Sequence, residues 1–239
     1  ISPIDPANQK KLIDEACART TLITHDSDAP GTDRVCFVGV DNDRAGRMCA
    51  ELVKEALPDG GDLLILVGRL EQDNARLRRQ GLIDELLGRD PDPARYDKPG
   101  AVVEGGGFKI LDTRTDQFDA ARAKQNAEDA IATDPDLDCM VGLFQYNTPA
   151  CLEAVRASGK LGAIKLVAFA EHDQTLQGIV DGNVYGTVVQ NPYDYGYESV
   201  RILAGLARGD RSVLPEGGVL DVPARQIRRA DVDAFWADH

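Results

Sequence analysis

No stretch of the chain is apolar over the roughly 20 residues that a membrane-spanning helix needs, so no helical membrane span is expected. Positive charge is also short: 27 Lys and Arg stand against 40 Asp and Glu, a formal charge of −13. Phosphate backbones and anionic membranes need a basic patch, so nucleic acid is not expected as a partner. The five cysteines, at 17, 36, 49, 139 and 151, form no CxxC pair and no Cys/His cluster, which leaves no expected metal site. Four of them fall on apolar faces or strands, where a thiol behaves as a small hydrophobe. The chain has no nucleophile elbow, HExxH or P-loop, and the glycines at 60–61 and 105–107 lack a phosphate-binding spacing. No cofactor is expected. No secretory signal is visible, and the chain starts at Ile1 rather than Met, as a processed or truncated product would.

What is present is an alternation. Residues 35–40 make a short apolar run, and Asp41-Asn42-Asp43 turn the chain. Ala45, Met48, Cys49, Leu52, Val53 and Ala56 then recur as one apolar face of a helix. Residues 58–61 stop that helix, and 63–67 are apolar again. The pattern predicts a βαβ unit with two parallel strands. Asp5 and Pro6 predict an earlier helix start, with Leu12, Ile13, Ala16 and Cys17 inward. A strand is expected near 21–25, ahead of this unit, and after the unit a helix with Leu82, Ile83, Leu86 and Leu87 inward; further strands are expected near 107–111, 139–144, 164–169 and 185–189, each followed by a helix. Residues 89–101 read as a surface loop. Short β-like pieces between 213 and 227 and a last helical turn with Phe235 and Trp236 complete the chain. The fold class is parallel α/β.

In such sheets ligands bind beyond the carboxyl ends of the strands. The residues that follow each expected strand are Asp26, Asp41-Asn42, Asn74 and Arg76, Asp116 and Gln117, Tyr146 and Asn147, Glu171, and Gln190. Parallel strands gather those ends on one rim. Carboxylates, amides and guanidinium groups can each grip neighbouring hydroxyls in pairs, and an aromatic ring can cover an apolar C–H face. That inventory suits a neutral polyhydroxy compound. Each residue also has a plainer reading. Asp26 suits turn chemistry, Asp41-Asn42 a helix cap or hinge, and Gln190 a cap before Asn191-Pro192. Tyr146 suits core packing, and the Arg76-Leu77-Arg78-Arg79 run a solvated face.

The segments ISPIDPANQKKLIDEA, THDSDAP, GVDNDRAGRMCAELV, GGDLLILVG, QDNARLRRQGL, FQYNTPACLEAV and VVQNPYDYGYESV together resemble, in order, the sugar-binding proteins of bacterial ABC importers with the type I periplasmic-binding fold, the ribose-binding group. The resemblance implies two Rossmann-like lobes joined by a hinge that closes on ligand. It implies a first lobe of 1–41 and 191–222, incomplete because the family's first strands are absent. A second lobe would be 42–190, with 223–239 packing on the lobes. It implies ligand contacts from Asp26, Arg76 and Gln190 by position, from Asn74 beside Arg76, from Tyr146 and Asn147, and from Gln117 and Glu171 at looser positions. The implied partners are a sugar or polyol and a membrane permease, for a monomer in the periplasm or otherwise outside the cytoplasm, with a lipid anchor on a preceding segment as one form. The family's usual Phe-Asp pair reads Phe169-Ala170 here, which removes one expected carboxylate. The second reading is the effector-binding domain of a lactose-repressor-type regulator, and the third is the extracellular sensor of a signalling receptor. An enzyme using His25 with Asp26, or His172 with Glu171, is the reading of another class; no catalytic activity is expected.

Overall fold

The computed structural model describes residues 1–237. In chain order the elements are α1 (Pro6–Cys17), β1 (Thr24–His25), β2 (Phe37–Gly39), α2 (Asn42–Ala56), β3 (Gly61–Val67), α3 (Asp73–Leu86), β4 (Val103–Gly105) and β5 (Phe108–Thr115). They continue with α4 (Ala120–Thr133), β6 (Leu137–Gly142), α5 (Asn147–Ala157), β7 (Lys165–Phe169), α6 (Asp173–Val180), β8 (Gly186–Val189) and α7 (Pro192–Ala207). The last are β9 (Val219–Asp221), β10 (Arg225–Arg228) and α8 (Val232–Ala237). The chain divides into two compact units, Ile1–Asn42 with Glu71–Arg76 and Gln190–Ala224, and Asp43–Leu70 with Leu77–Val189 and residues 225–237. The six residues 71–76 thus group with the first unit, while β10 and α8 belong to the second. Of the expected C-terminal segment, residues 238–239 lie outside the described residues.

The first unit has a parallel three-stranded sheet in the order β1-β2-β9. Ile1 runs beside β1: its amino group donates to the Ile23 carbonyl at 3.0 Å and its carbonyl accepts from His25 N at 2.9 Å. Asp5 caps α1 by accepting from Asn8 N at 3.0 Å, and Pro6 fills the first turn, where its missing N–H costs nothing. Ile13 points inward with Leu22 and Ala29, but Leu12, expected inward, is 67% exposed. Asn191, rather than Gln190, caps α7 by accepting from Asp194 N at 3.1 Å.

The second unit has a seven-stranded sheet in the order β10-β8-β7-β6-β3-β5-β4. Its inner strands are parallel, and the edge strands β4 and β10 run antiparallel to their neighbours. Leu63 to Val67 of β3 are all buried, the continuous apolar run of a strand covered on both faces. Ala127 and Ala130 of α4 join Leu152 and Val155 of α5, Leu176 and Ile179 of α6, and Phe235 of α8 in one core over the strands. Cys36, Cys49, Cys139 and Cys151 are buried free thiols, and burial pushes Cys49 and Cys151 up to about 12.

The expected βαβ unit does not form. β2 pairs with β1 and β9, whereas β3 pairs with β5 and β6, so α2 connects strands of different sheets. Apolar periodicity reports the order of elements but not the hydrogen-bond partners of a strand, and two successive strands here belong to different units. The 89–101 loop is regular in its anchoring rather than its backbone. Gln80 donates to Asp97 Oδ2 at 2.7 Å and accepts from Asp97 N at 3.0 Å, and Arg95 pairs with the fully buried Asp84 at 2.9 Å. Gly106 and Gly107, at φ 59° and 87°, make the tight turn of the β4–β5 hairpin, as turn glycines should, while strand β4 itself was not expected from the sequence.

Candidate functional site

In the first unit, Asp26 stands directly after β1 at φ 63°, a left-handed backbone that Asp tolerates better than most residues. Its Oδ2 accepts from Ser2 Oγ at 3.1 Å. Asp28, two residues on, is spent on an ion pair with Arg34 and accepts from Thr24 Oγ1 at 2.6 Å. Arg76 donates to Asp73 at 3.0 Å across one turn of α3 and is one-third exposed. Burial raises the Asp73 carboxyl pKa above its ordinary value, although the Arg76 bond opposes this. Asn74 is 3% exposed and its Oδ1 meets no donor. Gln190 is half-buried and donates to the Tyr195 hydroxyl at 3.1 Å. Asp41 and Asn42 lie at the end of β2, where Asp41 N donates to Asp221 of neighbouring β9 at 2.9 Å.

In the second unit the ends of β3, β5, β6 and β7 carry the remaining candidates. Asp116, after β5, is fully buried and accepts from three donors: the Tyr146 hydroxyl, Asn147 Nδ2 at 2.7 Å and Phe118 N at 3.0 Å. Burial raises its pKa, an effect that those hydrogen bonds reduce. The Tyr146 phenol is pushed up as well, by burial and by the carboxylate that it faces. Asn147 is fully buried, and its Oδ1 accepts from Phe144 N at 2.9 Å, so both ends of its amide are engaged within the protein. That makes it the brace that aims Asp116 and Tyr146. Gln117 is exposed at φ 61°, followed by Phe118 at φ 65°. Glu171 is half-buried, and its carbonyl accepts from Gln145 Nε2 at 2.6 Å. His172 spends Nδ1 on capping α6, where Gln174 N donates to it at 3.1 Å.

Three rings and two guanidinium groups complete this rim, and the sequence reading missed four of these five. Phe118 meets Phe144 edge-on at 5.8 Å, and Phe144 lies 6.3 Å from Tyr146. The Arg78 guanidinium stacks on Phe169 at 3.6 Å, reaches within 5.5 Å of the Phe144 ring, and donates to the Leu143 carbonyl at 2.8 Å. Arg69 lies 5.3 Å from the Phe118 ring centre. Arg78 and Arg79 are 2% and 1% exposed, so the arginine run is not a solvated face. The signal was in the spacing. Arg78 precedes Leu82 and Leu86 by four and eight positions, on the stripe that α3 buries. Among the described residues no group of three His, Cys, Asp or Glu is placed to hold a metal ion. No helix there is long and apolar enough to cross a membrane.

Parallel strands ending in buried polar side chains, aromatic rings and guanidinium groups define a binding protein of the α/β class. The chain belongs to the periplasmic binding protein domain family, whose model matches residues 1–211. It is similar to a D-ribose/D-allose-binding protein of Pseudomonas aeruginosa, 22% identical over 193 residues, which are 81% of this chain and 55% of that protein. The chain therefore spans little more than half the length of that curated relative. Its fold matches a glucose-galactose binding protein from Geobacillus stearothermophilus with a TM-score of 0.84 at 22% identity, over 96% of this chain and 75% of the other. A carbohydrate transporter solute-binding protein from Agrobacterium radiobacter, solved with D-arabinose, matches with a TM-score of 0.84 at 21% identity, over 100% and 76%.

Proposed function

We propose that the protein is an extracytoplasmic solute-binding protein that captures a sugar or polyol at its strand-end rims and delivers it, as a monomer, to a membrane permease of the ABC type. The observation that carries this reading is the second unit's rim. There Phe118, Phe144 and Tyr146 offer faces for the C–H side of a sugar ring, and the half-buried Arg69, whose Nε meets no acceptor, offers a donor for its hydroxyls. In the first unit Asp26, Arg76, Gln190 and the unpartnered Oδ1 of Asn74 supply the donors and acceptors that a polyhydroxy compound pairs with. The family match and the sugar-binding relatives support the same class of ligand.

Function on this reading is binding without chemistry. A ligand shifts the protein toward its bound form by no more than its affinity difference between the states. No side chain is assigned a reaction, since the polar groups of the rim hold one another in place. A thermal-shift screen over pentoses, hexoses and polyols tests the proposal. A ligand that binds only the folded chain at about 100 times its Kd adds about 2.7 kcal/mol of stability, so one member of the panel should raise the melting temperature by several degrees. No shift with any sugar, polyol or sugar acid at millimolar concentration would refute the reading.

A further inference from the structure

The rim of the second unit offers a cation and withholds its carboxylates. Arg69 follows the end of β3, half-buried, and has no hydrogen-bond or ion-pair partner among the described residues. Its Nε is buried without an acceptor, and its one contact of note is the face of Phe118. A guanidinium nitrogen buried without an acceptor is costly in a folded chain, and a ligand that brings an anion to it is rewarded. The position is held from several sides. A side chain at Gly68 would fall 2.5 Å from Phe118 and 3.1 Å from the Tyr146 hydroxyl, so the end of β3 is seated against both rings.

The carboxylates nearby are turned to other work. Asp116 is fully buried and saturated by Tyr146, Asn147 and Phe118 N. Asp119 caps α4, accepting from Ala121 N at 2.8 Å and Arg122 N at 3.1 Å. The end of β7 presents the methyl group of Ala170. Glu171 follows Ala170, half-buried, with its carbonyl accepting from Gln145 Nε2 at 2.6 Å, and Glu71 stands exposed two positions after Arg69. The second guanidinium, Arg78, is itself buried, lying against Phe144 of the rim and the buried Phe169 of β7. In a chain of net charge −13, a rim that buries its acid and leaves Arg69 unmatched is selective by sign.

Resting on the reading above, we propose that the ligand is a sugar acid, an aldonate or uronate whose carboxylate pairs with Arg69 while the aromatic rings take its carbon skeleton. A carboxylate and a guanidinium fit each other in two parallel hydrogen bonds, which a neutral hydroxyl cannot match.

Calorimetry with three matched pairs tests it: D-galacturonate against D-galactose, D-glucuronate against D-glucose, and D-ribonate against D-ribose. At least one acid should bind about tenfold or more tightly than its neutral partner. Arg69→Gln should abolish that preference, and Arg69→Lys should keep part of it. Ala170→Asp, which sets a carboxylate at the end of β7, should weaken the acid by about tenfold or more. Melting curves of each variant separate lost preference from lost folding. A neutral sugar that binds as well as or better than its acid overturns the sugar-acid proposal and leaves sugar binding standing. Preference for the acid that survives in Arg69→Gln overturns it too. No binding by any of the six compounds overturns the sugar-acid proposal, and the thermal-shift panel of sugars and polyols then decides the wider reading.

Discussion

Ala170 holds φ 69° at the end of β7, and Asp26, Gln117 and Phe118 hold 63°, 61° and 65° at the ends of β1 and β5. A left-handed backbone costs a residue with a side chain about 1–2 kcal/mol relative to glycine's freedom. Such strain gathers where surrounding structure over-determines the chain, commonly at binding sites. At Ala170 the backbone is fixed on two sides, because its N donates to the Val188 carbonyl at 2.7 Å and its carbonyl accepts from Thr187 Oγ1 at 2.7 Å. Ala170→Gly should therefore raise stability by about 0.5–1 kcal/mol, read as a higher urea midpoint with unchanged slope. An unchanged or lower midpoint would mean that the strain is not there. At this scale the sequence was informative wherever a polar residue follows a strand, since that position alone places Asp26, Gln117, Tyr146 and Gln190 at sheet ends. It misled where charge stood in for exposure. Arg78 and Arg79 looked like surface because guanidinium groups usually are, and only their spacing with Leu82 and Ile83 marks them as buried.

Helices α2 and α3 meet through glycine. A methyl group at Gly46 would lie 2.0 Å from the Arg78 carbonyl oxygen, and one at Gly81 would lie 2.1 Å from that of Asp43. Both obstacles are backbone, so neither can swing aside. The close approach also fixes Arg78 on the face that reaches Phe144 and Phe169, which links the crossing to the rim. Gly46→Ala should cost about 3 kcal/mol or more. Gly196→Ala in α7 is the matched control. Nothing lies within 4 Å of that position, and the change should stabilise by about 0.5–1 kcal/mol through helix propensity alone. Equal effects of the two substitutions in chemical denaturation would contradict the crossing. Helix periodicity made α2, α3 and α4 readable, down to the buried faces at Cys49, Leu82 and Ala127. What it could not give is partnership. The glycines look like ordinary helix weaknesses until another backbone is seen against them, and the strands flanking α2 look paired until the ladders are known.

The two units differ in how well each buries its own apolar surface. The second has seven strands and a core that runs from Leu64 through Leu166 to Phe235. The first has three short strands, and it carries most of the large apolar side chains that stay exposed, among them Leu12 at 67%, Tyr193 at 78%, Tyr197 at 58% and Val200 at 67%. Apolar burial is the main favourable contribution to folding, and regions with little of it open at lower free energy. Hydrogen exchange followed by mass spectrometry should thus show two levels of protection. Amides of β3, β6 and β7 should exchange only through global unfolding, while those of α1, β1 and β9 exchange faster by one or more orders of magnitude. A bound sugar or sugar acid that contacts Asp26, Arg76 or Gln190 should slow the first unit most, because ligand energy adds to the stability of whatever segment it requires to be ordered. Uniform protection across both sheets would count against the ranking. Protection by ligand confined to the second unit would count against ligand contact by Asp26, Arg76 and Gln190 and leave the second unit's own rim, with Arg69 and the three rings, to carry binding.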